Sequence, residues 1–171
     1  MTRADRENHL ETLIRANASD LLAYLERRID PRADAADVLS ETFIIAWKKA
    51  GKAPSDEIGG RMWLFTIARN VLLNARRTAR RRLAATDRLR WELEQSQTGT
   101  DLSDATAVRA AVGKLPADLR ELIELVHWEG FSLVEAAQIT GITASTARSR
   151  YASAKGRLRT ALAFAPEESL S

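Results

Sequence analysis

The stretch that most constrains this chain is RMWLFTIARNVLLNARRTARRR, residues 61–82. Leu64, Ile67, Ala68, Val71 and Leu72 recur there at the three- and four-residue steps of an α-helix. Such a stripe must be covered by other elements. Ala, Leu and Arg dominate the composition and β-branched runs are scarce, so those elements are expected to be helices and the fold class all-α. The opposite side of the same helix carries Trp63, Thr66, Asn70 and Arg77, flanked by Arg69 and Arg76. It ends in Arg76, Arg77, Arg80, Arg81 and Arg82 with no acid among them.

Upstream, residues 6–29 place Leu10, Leu13, Ile14, Leu21, Leu22, Leu25 and Ile29 at helical spacing, with a break expected near 17–19. Asp30-Pro31 ends this helix, because the residue before proline is pushed out of the α region. A second helix is expected from Asp34, its carboxylate capping free N–H groups. In DAADVLSETFIIAWKKA, Val38, Leu39, Thr42, Ile45 and Ala46 share one face. Asp37, Glu41 and Lys48 lie on another, with Phe43 and Trp47 between. Gly51 ends the helix, and a polar loop with Pro54 is expected over 52–60.

After Arg90 the composition turns polar and loses its apolar period, as in EQSQTGTDLSD. A second helical block follows, with Val108, Ala111 and Val112 leading to Leu115-Pro116. A helix over 117–128 would turn Leu119, Leu122, Ile123 and Val126 inward, and Glu129-Gly130 makes a turn. Ser132 and Glu135 have the spacing of a capping box. Thr140-Gly141-Ile142 is the next turn, and Thr143 caps a helix over 144–163 that carries Arg148, Arg150, Lys155, Arg157 and Arg159 without an acid. The expected organisation is two small helical domains, 1–94 and 106–165, joined by a flexible linker at 95–105. The second is a helix-turn-helix domain, followed by a disordered tail at 166–171.

With 45% apolar and 29% charged residues, the chain has the composition of a soluble globular protein. The net charge is only +3, so the basic character is local. The absence of cysteine excludes disulfides, thiolate zinc sites and cysteine nucleophiles, and fits a cytoplasmic protein. The start lacks an apolar signal core, and no run approaches membrane-spanning length, so no membrane contact is expected. His9 and His127 fall in different blocks and read as surface or boundary residues. No GxxxxGK, HExxH or GxSxG occurs, and no further ligands join Asp37 and Glu41, so no catalysis, metal or cofactor is expected.

Three groups of residues remain as candidates for function. In the helix-turn-helix, Ser145, Thr146, Arg148 and Ser149 near the start of the second helix reach base edges or phosphates. The arginine run alone reads as a solvated helix end or a non-specific phosphate contact. Beside Trp63, Thr66 and Asn70 it suits unstacked single-stranded bases, which need a stacking surface and edge hydrogen bonds. Core packing explains Trp63 equally well, and a surface amide explains Asn70. Asp37, Glu41 and Lys48 with Phe43 and Trp47 can dock a protein, although a solvated face with core aromatics is the plainer reading.

Taken together, these three motifs resemble a bacterial RNA polymerase sigma factor of the extracytoplasmic-function class. The resemblance rests on DAADVLSETFIIAWKKA, the 61–82 helix, and the stretch from LPADLRELIELVHWEGFSL to YASAKGRLR, in that order. It implies that a first domain docks on the β′ coiled coil of core RNA polymerase through Asp37, Glu41, Phe43, Trp47 and Lys48. It implies that Arg61, Trp63, Thr66, Asn70, Arg76, Arg77 and Arg80 act at the minus-ten element of promoter DNA, with Asn70 helping to form a pocket for a flipped base and the 52–61 loop shaping it. It assigns Thr143, Ser145, Thr146, Arg148, Ser149, Arg150 and Lys155 to the minus-thirty-five element, with the β flap touching the same domain. An anti-sigma factor is a further implied partner. Ala152, Ser153 and Ala154 stand where the family often has larger groups, so no promoter sequence is implied. Gly156, inside the last helix, costs about 1 kcal/mol relative to Ala. The other classes weighed are an autonomous helix-turn-helix regulator with an N-terminal helical sensor domain, and an adaptor that binds no DNA.

Overall fold

The computed structural model describes residues 2–86 and 104–163, with side chains over 2–82 and 107–163. The expected linker lies almost wholly outside the described residues, and the expected tail entirely so. The chain divides into two compact units, Met1–Gln95 and Ser96–Ser171. Among the described residues, regular structure consists of α-helices and two 3-10 turns, with no strand.

The first unit contains α1 (Arg3–Glu26), α2 (Ala35–Lys48) and α3 (Glu57–Thr86), each packed on the other two. Helix α1 starts at a capping box in which the Asp5 N–H donates to Thr2 Oγ1 and the Thr2 N–H donates to the Asp5 carboxylate. The Thr2 hydroxyl also donates to the Asp5 carboxylate, and this bond, with that of the Thr2 N–H, holds the Asp5 carboxyl below the usual carboxylate range. The helix then runs through the segment where a break was expected. Asn17 is buried there, donating from Nδ2 to Leu13 O and accepting at Oδ1 from Arg61. Its amide therefore joins two helices, where the sequence suggested that it competes with one. Helix α1 also stops three residues early, at Glu26, where Arg28 turns back to donate to Tyr24 O.

At α2 the expected Asp34 cap is absent. A 3-10 turn, Arg32–Asp34, leads into the helix and leaves Asp34 in the right-handed α region, without a side-chain capping bond. A cap needs an extended backbone to swing its oxygen over the helix end. At α3 the cap is Asp56, whose Oδ1 accepts from the Gly59 N–H. The helix therefore begins at Glu57 and absorbs the second half of the expected loop.

Along α1 and the turn that follows it, a rail of residues at three- and four-residue steps meets the 54–76 segment. His9 bonds the Pro54 carbonyl. Leu13 lies so close under Gly60 that a Cβ there would come within 2.6 Å of its Cδ1. Asn17 and Asp20 both accept from Arg61. Tyr24 meets Phe65 edge-on at 5.2 Å, and the Arg28 carbonyl accepts from Arg76. These pairs rise together along both helices, so α1 and α3 run parallel and α2 carries the chain back between them. The expected stripe of Leu64, Ile67, Ala68, Val71 and Leu72 is buried throughout. Phe65, outside that stripe, is fully buried as well, because α3 is covered on two sides.

The second unit contains α4 (Asp104–Gly113), α5 (Ala117–His127), α6 (Leu133–Thr140) and α7 (Ala144–Ala163), with α7 contacting the other three. Val112, Leu115, Leu119, Ile123 and Ala154 form its apolar cluster, against which Tyr151 and Leu158 pack. Inward positions on α5 are Leu119, Leu122, Ile123 and Leu125; Val126, expected inside, is only half-buried. Phe131 is buried at the turn that follows.

The Ser132–Glu135 capping box forms with both reciprocal bonds. Gly141 closes α6 at φ 73°, a left-handed conformation that only glycine adopts without strain. Thr143 then caps α7 by accepting from the Thr146 N–H.

Candidate nucleic-acid interface

Helix α3 has one face sewn to α1 and another that faces outward. Leu64, Val71 and their neighbours fix its rotation, so Trp63 and Thr66 are half-buried while Asn70 and Arg77 are exposed along one line. The same line continues through Asn74 and Arg81, both exposed, which the sequence reading left out of its site. Helical steps counted from Asn70 reach them directly. Thr66 is less available than its position suggests, because its hydroxyl donates to Met62 O at 2.8 Å.

Arg61 and Arg76 do not join this line. Arg61 turns onto α1, donating to Asn17 Oδ1 at 3.0 Å and Asp20 Oδ2 at 2.7 Å, with its guanidinium 4.8 Å from the centre of the Phe65 ring. Arg76 donates to the Arg28 carbonyl at 2.7 Å and so ties down the C-terminal end of α1. Arg80 is exposed. Within the arginine run, Arg76 is turned to the end of α1 and binds backbone, while Arg77 and Arg81, on the line of Asn70, are exposed where a polyanion can reach them. A half-buried aromatic, an amide and two cations in a line offer a stacking surface, edge hydrogen bonds and phosphate contacts in succession.

On α2, Asp37, Glu41, Trp47 and Lys48 are exposed together. Phe43 turns half inward. Ile44, missed in the sequence reading, falls between Glu41 and Lys48 and is 54% exposed, more than Trp47 at 44%. Acids at one end, two large apolar side chains and a lysine at the other are the makings of a protein-docking face.

In the second unit, the start of α7 presents Ser145, Arg148 and Ser149 to solvent. Thr143 and Thr146 are occupied with each other at the cap, their hydroxyls 2.9 Å apart. Arg150 is half-buried and leans to α5, its Nε 3.4 Å from Asp118 Oδ2. That pair is largely solvated and contributes at most about 1 kcal/mol, so a phosphate can compete for the guanidinium. Next to it, His127 Nε2 and Tyr151 Oη are 2.8 Å apart with their rings stacked. Lys155 is exposed, its Nζ 5.5 Å from the Tyr151 ring. Asp118 and His127, at opposite ends of α5, therefore hold adjacent residues of α7, and the helix presents Ser145, Arg148 and Ser149 outward. Gly156 has nothing within 4 Å of where a Cβ would stand, so it does not serve close packing.

Among the described residues, no group of three or more His, Cys, Asp or Glu is placed to hold a metal ion. None of the described helices is long and apolar enough to cross a membrane.

Comparison with known proteins matches each unit separately. Residues 13–82 match the sigma-70 region 2 family model, and residues 105–158 match that of sigma-70 region 4. The ECF RNA polymerase sigma factor SigL of Mycobacterium tuberculosis is 30% identical over 156 residues, covering 90% of this chain and 88% of that protein. The ECF RNA polymerase sigma factor EcfG of Rhodopseudomonas palustris is 36% identical over 130 residues, 74% of this chain and 69% of the other. Among solved structures, the sigma factor RpoE bound to the anti-sigma factor NepR, from Bartonella quintana, aligns with a TM-score of 0.68 at 27% identity, covering 95% of this chain and 99% of that one.

Proposed function

From the premise that the chain belongs to the extracytoplasmic-function RNA polymerase sigma factors, we propose how its faces divide the work of promoter recognition. The exposed line of α3 takes the minus-ten element, with Asn70 and Trp63 forming a pocket for a base flipped from the non-template strand and Arg77 and Arg81 holding phosphates. The α2 face of Asp37, Glu41, Ile44, Trp47 and Lys48 docks on the β′ coiled coil of core polymerase. Helix α7 takes the minus-thirty-five element through Ser145, Arg148 and Ser149, and the same unit touches the β flap. The chain carries out no chemistry of its own and works in the cytoplasm. An anti-sigma factor is its proposed regulator, by analogy with the RpoE relative, which is bound to one.

The observation that carries this reading is the outward line Trp63–Asn70–Arg77–Arg81 on a helix whose opposite face is fixed by α1. Flipping a base costs a few kcal/mol of unstacking, and a rigid helix can offset that by presenting its contacts already placed. An autonomous regulator would use the helix-turn-helix but gives no reason for that line.

The test is Asn70→Ala in holoenzyme. Open-complex formation should weaken more than binding to intact duplex; equal losses in both assays would remove the base-pocket role. Glu41→Arg should weaken binding to core polymerase, and unchanged affinity would remove the docking assignment.

A further inference from the structure

We propose that His9 is a positioning residue for the base pocket: by bonding the Pro54 carbonyl it holds the 52–56 loop against α1. The inference rests on the pocket reading above, together with the part in shaping that pocket that the resemblance gives to the 52–61 loop. His9 Nε2 lies 2.7 Å from Pro54 O. A carbonyl only accepts, so the ring nitrogen is the donor and the tautomer is fixed by the loop.

Pro54 is gripped from the other side too. A Cβ built on Gly59, in the first turn of α3, would come within 3.1 Å of the Pro54 Cβ. The loop is therefore wedged between α1 and α3, with His9 supplying the polar contact. Its bonds to near neighbours are local: Lys52 N to Lys49 O, Ala53 N to Ala50 O, and Gly59 N to Asp56 Oδ1. Local bonds shape a turn but do not set its distance from another helix.

His9 is the first step of the α1 rail. Leu13 under Gly60 and Asn17 with Asp20 on Arg61 are the next steps, and Trp63 follows two residues after Arg61. One helix face thus sets both the loop and the start of the line that carries Trp63 and Asn70. A wall that must be ordered on binding weakens affinity, and a wall held in advance does not. This gives a half-buried histidine remote from the α3 line a part in base selection.

The experiment uses holoenzyme assembled from bacterial core RNA polymerase and the full chain. The probe is fork-junction DNA whose unpaired non-template strand is randomised; bound strands are sequenced, and the preferred one is then titrated. His9→Gln puts an amide N–H where Nε2 stood, while His9→Asn is one methylene too short to reach Pro54. The Gln variant should keep the parent's base preferences and affinity. The Asn variant should bind the preferred strand about fivefold to tenfold more weakly, with flattened preference at the flipped position. Both should bind core polymerase equally well, since the α2 face is untouched. A purely structural role would lower stability and core binding together and leave base preference intact, and that result overturns the proposal. Equal behaviour of the Gln and Asn variants, both normal or both weak, overturns it as well, provided Asn70→Ala still weakens strand binding. If Asn70→Ala is also normal, the pocket reading fails, and the role of His9 falls with it.

Discussion

In the first unit, hydrogen bonds join His9 to Pro54, Asn17 to Arg61 and Arg76 to Arg28, partners 45, 44 and 48 residues apart. In the second, the bonds that shape the helix-turn-helix join Ser132 to Glu135 and Thr146 to Thr143, three residues apart in each case. Two longer clasps, Asp118–Arg150 and His127–Tyr151, lie at the surface. The first unit thus places its outward line by long-range contacts between two parallel helices. The second places its reading helix by caps, a glycine turn and the two surface clasps from α5, over an apolar core. A face that must hold an unstacked base needs its depth fixed across helices. A helix that enters a groove needs only its angle and rotation fixed.

The largest expected effect breaks the first unit alone. Phe65→Ala removes a fully buried ring set edge-on against Tyr24 and should cost about 3–5 kcal/mol. Hydrogen exchange should accelerate over 3–82 and stay unchanged over 117–163; equal acceleration in both would merge what the comparison separates. Next, Arg61→Ala takes a donor from buried Asn17 and an ion pair from Asp20, an expected loss of about 1–3 kcal/mol. Its denaturation midpoint should fall at constant slope. A variant as stable as the parent would show that the rail does not need Arg61.

Ser132→Ala tests the local mode. Loss of one half of a capping box should cost about 1 kcal/mol, confined to exchange at the start of α6. Gly156→Ala has the smallest effect and the opposite sign. Since a Cβ there meets nothing within 4 Å, it should gain up to about 1 kcal/mol. A loss, read as a lower melting temperature, would mean that α7 is packed more tightly there than the geometry shows.

The same contrast explains what could be read from the sequence. Caps and turns are local chemistry, so Ser132, Glu135, Gly141 and Thr143 were legible, as was the stripe of Leu64, Ile67, Ala68, Val71 and Leu72. Asn17 read as a helix breaker, and the bonds of Arg61 to α1 gave no local sign, because the partner of each lies 44 residues away. Asp34 failed as a cap because it closes a 3-10 turn and so takes helical backbone angles, which residue types alone do not announce. Phe65 escaped because a helix covered on two sides has no single stripe. Ile44, Asn74 and Arg81 were legible in principle. Stepping along the helix from Glu41 and Asn70 reaches them; Ile44 and Asn74 are less conspicuous types, and within an arginine run type alone does not separate Arg81 from Arg80.

The parallel arrangement of α1 and α3 also sets a timetable. A ribosome makes α1 first, yet His9 must wait for Pro54, and Arg28 for Arg76. With partners 45 and 48 residues away, at about 5–20 residues per second the wait is roughly 2–10 s. Throughout it, Leu10, Leu21 and Tyr24, all fully buried in the finished unit, have no α3 to cover them. The helix-turn-helix closes turn by turn as it emerges. Within its unit, the segment synthesised first therefore waits longest to be secured, and that unit is most exposed to capture or aggregation before its third helix is complete.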